Sequence, residues 1–226
     1  MVPKKAATQN MLGQNTANII FYENSFAKTA FLTKEISKCD VPMFYFDFDL
    51  QYTGFVRAGI TPSPKNLTLL CPENGSLLED LKSVIAKISK KRSLVIIDSL
   101  NGFFNLLEGR KDIGRIINSF IMLLVSSAKH TKSTVIVGAL SKLDNENKWI
   151  LYNTGRHVIE NEHFTKIQLT ITENSMLTKV LNSDNTNLQP DSINLEWHKM
   201  RSNKLKQRYA FWGSDIKHGL SVNLQC

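Results

Sequence analysis

The stretch Leu94-Val95-Ile96-Ile97-Asp98-Ser99 indicates the fold of this chain more directly than any other. Its four consecutive apolar residues, three of them β-branched, suit a strand that is buried on both faces, as the strands of parallel sheets are. Asp98 then places a carboxylate at the carboxyl end of that strand, where open parallel sheets gather their ligands. The stretch therefore predicts an α/β fold with a polar site at one edge of a parallel sheet.

Similar apolar runs lie on both sides of this strand and are separated by segments of helical length. They predict four more strands before residue 150: Ala17–Tyr22, Val41–Phe48, Leu67–Cys71 and Thr134–Leu140. Apolar spacing predicts helices over Ala27–Ser37, from Ser76 and from Asp112. This alternation of strands and helices predicts a mainly parallel sheet that is covered by helices.

The helix that begins near Ser76 has two signals in the sequence. Ser76 and Glu79 are three residues apart and form a capping-box pattern. Helical spacing then predicts one buried side that carries Leu78, Leu81, Ile85 and Ile88.

After about residue 150 continuous apolar runs give way to alternating residues. Lys166–Thr172 alternates polar and apolar side chains, which predicts a half-exposed antiparallel strand. The same pattern continues in Met176–Leu181, Ile193–His198 and Gln207–Trp212, with a polar turn region over Asn182–Ser192. We therefore expect an N-terminal tail over residues 1–16 and one domain over residues 17–226, whose sheet ends in an antiparallel extension.

Composition predicts an intracellular globular protein. Hydrophobic residues make up 42% and charged residues 21%, which is ordinary for a folded domain. No apolar run reaches the roughly 18 residues that span a bilayer, and no secretory signal opens the chain, so we expect a cytoplasmic protein without a membrane partner. Three separated cysteines and five histidines without metal-ligand spacing predict reduced thiols and no metal site of their own.

The net charge of +8 favours anionic partners such as nucleic acid, nucleotide or an acidic protein. Basic residues cluster in Lys87–Arg92, which reads KISKKR, and in Lys199–Arg208, which reads KMRSNKLKQR. In the second cluster Lys204, Lys206 and Arg208 lie next to aromatic residues, as in many nucleic-acid-binding surfaces. These three residues are the candidate nucleic-acid contacts.

The segment Tyr22–Thr29 has the spacing of a phosphate-binding loop but lacks its glycines. Lys28 and Thr29 stand where such a loop has its phosphate-binding lysine and its magnesium-binding hydroxyl. Tyr22 and Ala27 replace the two glycines, which normally allow positive φ and a close approach of the backbone to the anion. We therefore expect no cofactor, whereas ATP and Mg²⁺ are the cofactors if the site still works.

Carboxylates follow two of the predicted strands and complete the candidate nucleotide site. Asp98 and Ser99 stand where a Walker B segment holds magnesium, so Thr29 and Asp98 are the candidate metal ligands. Asp47 and Asp49 are two residues apart, which on a strand would turn both carboxylates to one face. Either of these carboxylates is a candidate general base for an attacking water.

Together these residues resemble the RecA superfamily, and particularly its KaiC and RadA branch. Val95–Leu100 is similar to the Walker B run of that family, and Leu195–Leu220 resembles its final hairpin. The resemblance implies a three-layer α/β fold, with Asp49 near the position of the acidic catalytic residue. It also implies that Lys199 and Arg201 reach the γ-phosphate of a nucleotide on a neighbouring subunit. Since no N-terminal DNA-binding domain of the RadA type and no duplicated domain are recognisable in the sequence, we expect a stripped, single-domain paralogue.

Three functions remain open at this point. The chain is a non-hydrolysing RecA-like subunit that assembles with itself or with a paralogue, in DNA repair and recombination or in signalling. Alternatively it is an atypical ATPase that uses Lys28, Thr29, Asp98 and Asp49. As a third hypothesis, it is a basic nucleic-acid-binding module that needs no nucleotide.

Overall fold

The computed structural model describes residues 16–61, 63–146, 148–152, 164–172, 175–181 and 191–194, together with Leu12 and Arg156. They include the parallel strands listed below and three of the segments that the sequence assigns to the nucleotide site, residues 22–29, 47–49 and 98–99. The predicted boundary between a tail at 1–16 and a domain at 17–226 stays a prediction.

The strands form a mixed sheet whose central part is parallel. In chain order the described strands are β1 (Ala17–Tyr22), β2 (Met43–Asp47), β3 (Leu67–Leu70), β4 (Leu94–Asp98), β5 (Thr134–Leu143), β6 (Trp149–Leu151), β7 (Phe164–Ile171), β8 (Ser175–Leu181) and β9 (Asp191–Asn194). Across the sheet the order is β3-β2-β4-β5-β1-β7-β8-β9, and β6 pairs with the end of β5. The pairs from β3 to β7 are parallel, whereas β6, β8 and β9 pair antiparallel. The predicted parallel sheet with an antiparallel extension is confirmed.

Strand β4 lies inside the parallel part of the sheet, as its sequence predicts. It pairs with β2 on one side, where Asp47 aligns with Asp98, and with β5 on the other. Every residue of β4 is buried, because helices cover both faces of the sheet. The two aspartates thereby end neighbouring strands at the same edge, which we call the carboxyl end of the sheet.

Helices cover the sheet on both faces. The described helices are α1 (Ser25–Ser37), α2 (Gln51–Arg57), α3 (Leu77–Ile88), α4 (Leu100–Leu106) and α5 (Ile113–His130). Residues of α1 and α2 share one hydrophobic cluster with the sheet, and residues of α3, α4 and α5 share the other. The predicted three-layer arrangement is confirmed. Sequence periodicity did not predict α2 and α4, because seven residues are too few to show a helical repeat.

Aromatic side chains fill the layer between the sheet and the second group of helices. Phe46 of β2 and Phe103 of α4 both contact Phe120 of α5 edge to face, with ring centroids 5.3 and 4.9 Å from it. All three are buried, and each such pair adds about 0.5–1.5 kcal/mol to the burial of its area. This layer holds α4 against the end of β4, where the candidate site lies.

Helix α3 begins where the sequence predicts but buries a different side. Its buried residues are Leu77, Leu81, Val84 and Ile88, whereas Leu78 is 59% exposed. Two apolar registers fit the helical spacing, and packing against the sheet selects the one that includes Leu77. The predicted capping box is also wrong, because the Ser76 hydroxyl accepts from Glu73 N at 3.1 Å and makes no cap bond to the helix.

Strand β7 differs from its prediction in direction. It pairs antiparallel with β8, as expected, but parallel with β1, where Ala17 aligns with Phe164. Ile167 and Leu169 are buried while their neighbours Lys166 and Gln168 are only partly buried. Alternation therefore reports that one face is covered less than the other, and it carries no information about strand direction.

None of the helices that the structure describes combines the length and the apolarity that crossing a bilayer requires.

Candidate nucleotide site at the carboxyl end of the sheet

The connection between β1 and α1 is short, and a side chain within it caps the start of the helix. Only Glu23 and Asn24 lie between the strand and the helix, and Asn24 is the N-cap with extended backbone. Its Oδ1 accepts from Phe26 N at 2.8 Å and from Ala27 N at 3.4 Å. Free N–H groups at a helix N-terminus are what attracts a phosphate. Here two of them already have an acceptor within the chain.

Lys28 points into the protein and forms a buried ion pair. Its Nζ lies 2.7 Å from Asp98 Oδ1, and both side chains are at most 2% exposed. The ammonium also lies 5.5 Å from the centroid of the Tyr22 ring, at the end of β1. Lys28 of the phosphate-binding segment and Asp98 of the Walker B segment therefore lie together, and each neutralises the charge of the other.

Asp98 has a second partner on the neighbouring strand. Its Oδ2 accepts a hydrogen bond from the Tyr45 hydroxyl at 2.5 Å. Burial raises the pKa of Tyr45, and the charges of Asp98 and Asp47 raise it further. Tyr45 therefore remains a protonated donor, and both oxygens of Asp98 are engaged.

Thr29 follows Lys28 on α1 and also has a partner within the chain. Its hydroxyl donates to the carbonyl oxygen of Ser25 at 2.9 Å, one turn earlier in the helix. The side chain is buried, with 7% exposure. Both candidate magnesium ligands, Thr29 and Asp98, are therefore committed to internal contacts in this conformation.

The two carboxylates after β2 lie in different surroundings. Asp47 is fully buried at the last position of the strand, and its Oδ2 accepts from Thr53 N at 2.6 Å. Burial raises its pKa, while the bonds from Thr53 oppose that rise. Because β2 ends at Asp47, the strand alternation that would align it with Asp49 does not continue.

Asp49 lies in the turn beyond β2 and is held by Ser99. Its Oδ2 accepts from the Ser99 hydroxyl at 2.7 Å. Although Asp49 is exposed as a residue, desolvation of its carboxyl by nearby protein atoms raises the pKa, and the bond from Ser99 opposes the rise. The candidate catalytic residue is thus near the candidate site, across from the end of β4.

Gly102 leaves room for the Asp49 carboxylate. The sequence analysis did not identify Gly102 as part of the site. A Cβ at this position would lie 2.2 Å from Asp49 Oδ1 and 3.0 Å from the carbonyl carbon of Phe48. The N–H of Gly102 also donates to Ser99 Oγ at 3.3 Å. A glycine three residues after Ser99 in a helical segment was the signal that could have identified this close approach.

Tyr45 was likewise missed as a member of the site, and Tyr22 was predicted only as the residue that replaces a glycine, not as a buried neighbour of Lys28. Both are buried at strand positions whose side chains face the α1 side of the sheet, together with Lys28. Burial raises the pKa of Tyr22, and the charges of Asp98 and Asp49 add to the rise. A buried tyrosine hydroxyl usually has a hydrogen-bond partner, so a tyrosine at the end of a strand (Tyr22) or two residues before it (Tyr45) could have been suspected.

Five further candidate residues lie outside the described residues. They are the residues assigned to a nucleotide in trans, Lys199 and Arg201, and those assigned to nucleic acid, Lys204, Lys206 and Arg208. Their roles stay predictions.

The arrangement as a whole is a closed polar network rather than an open cradle. Lys28, Tyr45 and Asp98 satisfy one another, and Asn24 occupies the start of α1. Such a site can accept a triphosphate with magnesium only after the ion pair opens and the cap releases the N–H groups.

The fold is similar to that of a solved structure, described as "Crystal structure of the RadB recombinase". The similarity has a TM-score of 0.56 at 12% sequence identity, and it covers 87% of this chain and 97% of that chain. No family model matches the sequence, and no curated protein matches it either. At this identity the likeness concerns the fold alone, so the more specific placement in the KaiC and RadA branch stays a prediction. The strand order and the structural likeness together give this chain a RecA-like α/β fold.

Proposed function

We propose that this chain is a RecA-like subunit that does not hydrolyse nucleotide and that acts through assembly with copies of itself or with a RecA-like paralogue. The observation that carries the proposal is the buried ion pair of Lys28 and Asp98, with 2.7 Å between Nζ and Oδ1. In a working site the lysine would neutralise phosphate and the aspartate would hold magnesium. Here the two groups neutralise each other.

The energetics of the closed network support this proposal. Separating a buried ion pair so that one charge loses its partner costs about 3–5 kcal/mol. Releasing the N-cap bonds of Asn24 costs about 1 kcal/mol more. A nucleotide would have to offset both costs before gaining affinity. It would also meet the carboxylate of Glu23 and the ring of Tyr22, where the usual loop has only backbone.

Exposed apolar side chains around the same end of the sheet support assembly. Five large apolar residues lie at the last position of a strand, in a connection or in the first turn of a helix there, and they are 37–59% exposed: Phe26, Leu50, Leu78, Leu143 and Ile171. Apolar side chains grouped at one end of a domain are typical of surfaces that contact another protein. The residues proposed to act in trans, Lys199 and Arg201, would belong to such a contact.

The biological setting is proposed from the fold likeness. The similar structure is titled a recombinase, and we propose a role in recombination and DNA repair, with signalling as the other setting for an assembling RecA-like subunit. The chain would provide binding contacts within the assembly and would not hydrolyse nucleotide itself.

A second candidate, an atypical ATPase, is favoured by one observation. Lys28 and Asp98 meet at the carboxyl end of the sheet, with Thr29 adjacent in sequence and Asp49 held by Ser99 nearby. If the ion pair opened, magnesium would lie at Thr29 and Asp98, and Lys28 would face the phosphates.

Incubation of the purified protein with ATP and Mg²⁺ separates the two candidates. We expect neither phosphate release nor saturable binding of a fluorescent ATP analogue at millimolar concentration. Lys28→Ala and the control Lys82→Ala, an exposed lysine of α3, should then behave like the wild type. Turnover that Lys82→Ala preserves and Lys28→Ala abolishes, while circular dichroism shows that Lys28→Ala is still folded, would establish the ATPase instead. Sedimentation velocity of the same samples, alone and with ATP, measures the assembly state.

A further inference from the structure

Two basic turns meet at the amino end of the parallel sheet, opposite the candidate nucleotide site. The first turn joins α3 to β4 and contains most of the run Lys87–Arg92. The second joins α5 to β5; it contains Lys132 and directly follows Lys129 and His130 at the end of α5. Because β4 and β5 are parallel neighbours, with Leu94 aligned to Thr134, the two turns lie side by side.

Hydrogen bonds join the two turns to each other. The Thr131 hydroxyl donates to the carbonyl oxygen of Ile88 at 2.7 Å. The Ser133 hydroxyl accepts from Ser93 N at 2.9 Å, and Thr134 N donates to Ser93 O at 2.9 Å. These bonds link the backbone at the end of α3 to the start of β5, so the basic side chains of both turns project from one supported surface.

The basic side chains of this surface are exposed and lack carboxylate partners in the part of the chain that the structure describes. We call them the amino-end patch: Lys87, Lys90, Lys91, Lys129 and Lys132. The ion pairs found among the described residues involve other lysines. Arg92 borders the patch on the side of Asp40 and lines a cavity with that carboxylate.

Among the residues that the structure describes, acidic side chains are scarce at this end of the sheet. Glu35 and Asp40 lie there at the end of α1, on the opposite face of the sheet from α3 and α5, and Glu35 is bonded to Lys38 at 3.0 Å. Attraction of cations to helix C-termini accounts for Lys87 and Lys129, which lie in the last turns of α3 and α5. It does not account for Lys90, Lys91 and Lys132, which lie beyond the helices.

We propose that the amino-end patch binds the phosphate backbone of duplex nucleic acid without reading its base sequence. Lysine ammonium groups act as point charges that neutralise phosphates, and their binding releases counterions. Single-strand sites combine positive charge with exposed aromatic side chains, and neither described turn offers a large exposed apolar or aromatic residue. Membrane insertion or a protein interface would also use large exposed apolar side chains as anchors, and the two described turns have none.

The patch consists of residues other than the three basic ones that the sequence suggests near the C-terminus, and it does not depend on what happens at the carboxyl end of the sheet. The proposal therefore stands or falls independently of nucleotide hydrolysis.

Fluorescence anisotropy with a labelled 20-base-pair duplex of arbitrary sequence tests the proposal on the full chain. The test variant is Lys90→Gln/Lys91→Gln/Lys129→Gln/Lys132→Gln, which leaves Lys87 in place because its ammonium lies 5.4 Å from the Phe44 ring centroid. Each neutralised phosphate contributes about 0.9 to the slope of log K against log salt. For the four lysines we expect the magnitude of this slope to fall by about 3.6 and the affinity at 100 mM salt to fall at least about tenfold.

A matched control removes four exposed lysines elsewhere: Lys82→Gln/Lys111→Gln/Lys142→Gln/Lys148→Gln. Both variants change the net charge equally, so a loss confined to the first variant assigns binding to the patch. Equal losses in the two variants would overturn the proposal. A loss in Lys204→Gln/Lys206→Gln/Arg208→Gln without one in the patch variant would also overturn it. Tighter binding to a single strand of equal length, to phosphatidylserine vesicles or to polyglutamate would show that another polyanion is the ligand.

Discussion

The two ends of the parallel sheet carry charge in opposite ways. At the carboxyl end Lys28 and Asp98 are buried and paired, with Tyr45 as a third member. At the amino end the lysines of two adjacent turns are exposed, and no carboxylate pairs with them among the described residues. A buried charge must be paired because desolvation is costly, so its partner is part of the fold. An exposed charge costs little and remains available to a ligand.

Chain direction contributes to this difference. Helix N-termini follow the carboxyl ends of the parallel strands, and helix C-termini precede their amino ends. The positive end of α1 is satisfied by Asn24, while the negative ends of α3 and α5 favour nearby lysines. The end that usually binds anions in such sheets is therefore closed here, and the other end carries the cations.

The sharpest test of the comparison is to remove one lysine from each end. Lys28→Met should lower the free energy of unfolding by about 3–5 kcal/mol, because Asp98 would remain buried without a cation. Lys90→Met, on the exposed patch, should change it by less than about 0.5 kcal/mol. Urea denaturation followed by circular dichroism measures both. Equal losses of stability in the two variants would contradict the difference between a buried, paired lysine at one end and an exposed lysine at the other.

A double variant sharpens this result. Lys28→Met/Asp98→Asn removes both charges and keeps an acceptor for Tyr45, so it should be more stable than Lys28→Met alone. If the double variant is as unstable as the sum of the two single variants, the ion pair is not the cause of the loss.

We expect two glycine substitutions to change the free energy of unfolding by a smaller amount. Gly102→Ala places a methyl group 2.2 Å from Asp49 Oδ1 and should cost about 1–3 kcal/mol. Gly114→Ala, in α5 with nothing within 4 Å of the added carbon, should stabilise the protein by up to about 1 kcal/mol. The same denaturation measurement applies. A Gly102→Ala variant as stable as Gly114→Ala would show that the turn around Asp49 adapts freely.

The smallest expected effect is a change in how the free energy of unfolding depends on pH, caused by Asp47 at the carboxyl end of the sheet. Burial raises the pKa of Asp47 above its unfolded value of about 3.9, so the folded state binds its proton more tightly. Its contribution to stability therefore falls as pH rises through the interval between the unfolded and the folded pKa.

Asp47→Asn removes this titration. Relative to the wild type, the variant should gain stability as pH rises above the unfolded pKa of about 3.9, as measured by urea denaturation over a range of pH values. Asp40→Asn, an exposed aspartate at the amino end, is the control. A constant difference between Asp47→Asn and wild type across this range would contradict the raised pKa.

The sequence predicted the sheet well because strand character is local. The apolar runs at Ala17–Tyr22 and Leu94–Asp98 show by composition alone that both faces are covered. Direction and register are not local, which is why β7 was expected to be antiparallel to its neighbours and proved parallel to β1. The buried side of α3 was misjudged for a related reason, since spacing allowed two registers.

The missing glycines of Tyr22–Thr29 and the charge of Lys87–Arg92 are properties of the sequence by itself. Tertiary structure alone decided that Lys28 faces Asp98 and that the α5 turn adds Lys129 and Lys132 to the α3 turn. The reason is physical: local composition determines whether a residue favours burial, but only the order of strands in the sheet determines which distant residue it meets there.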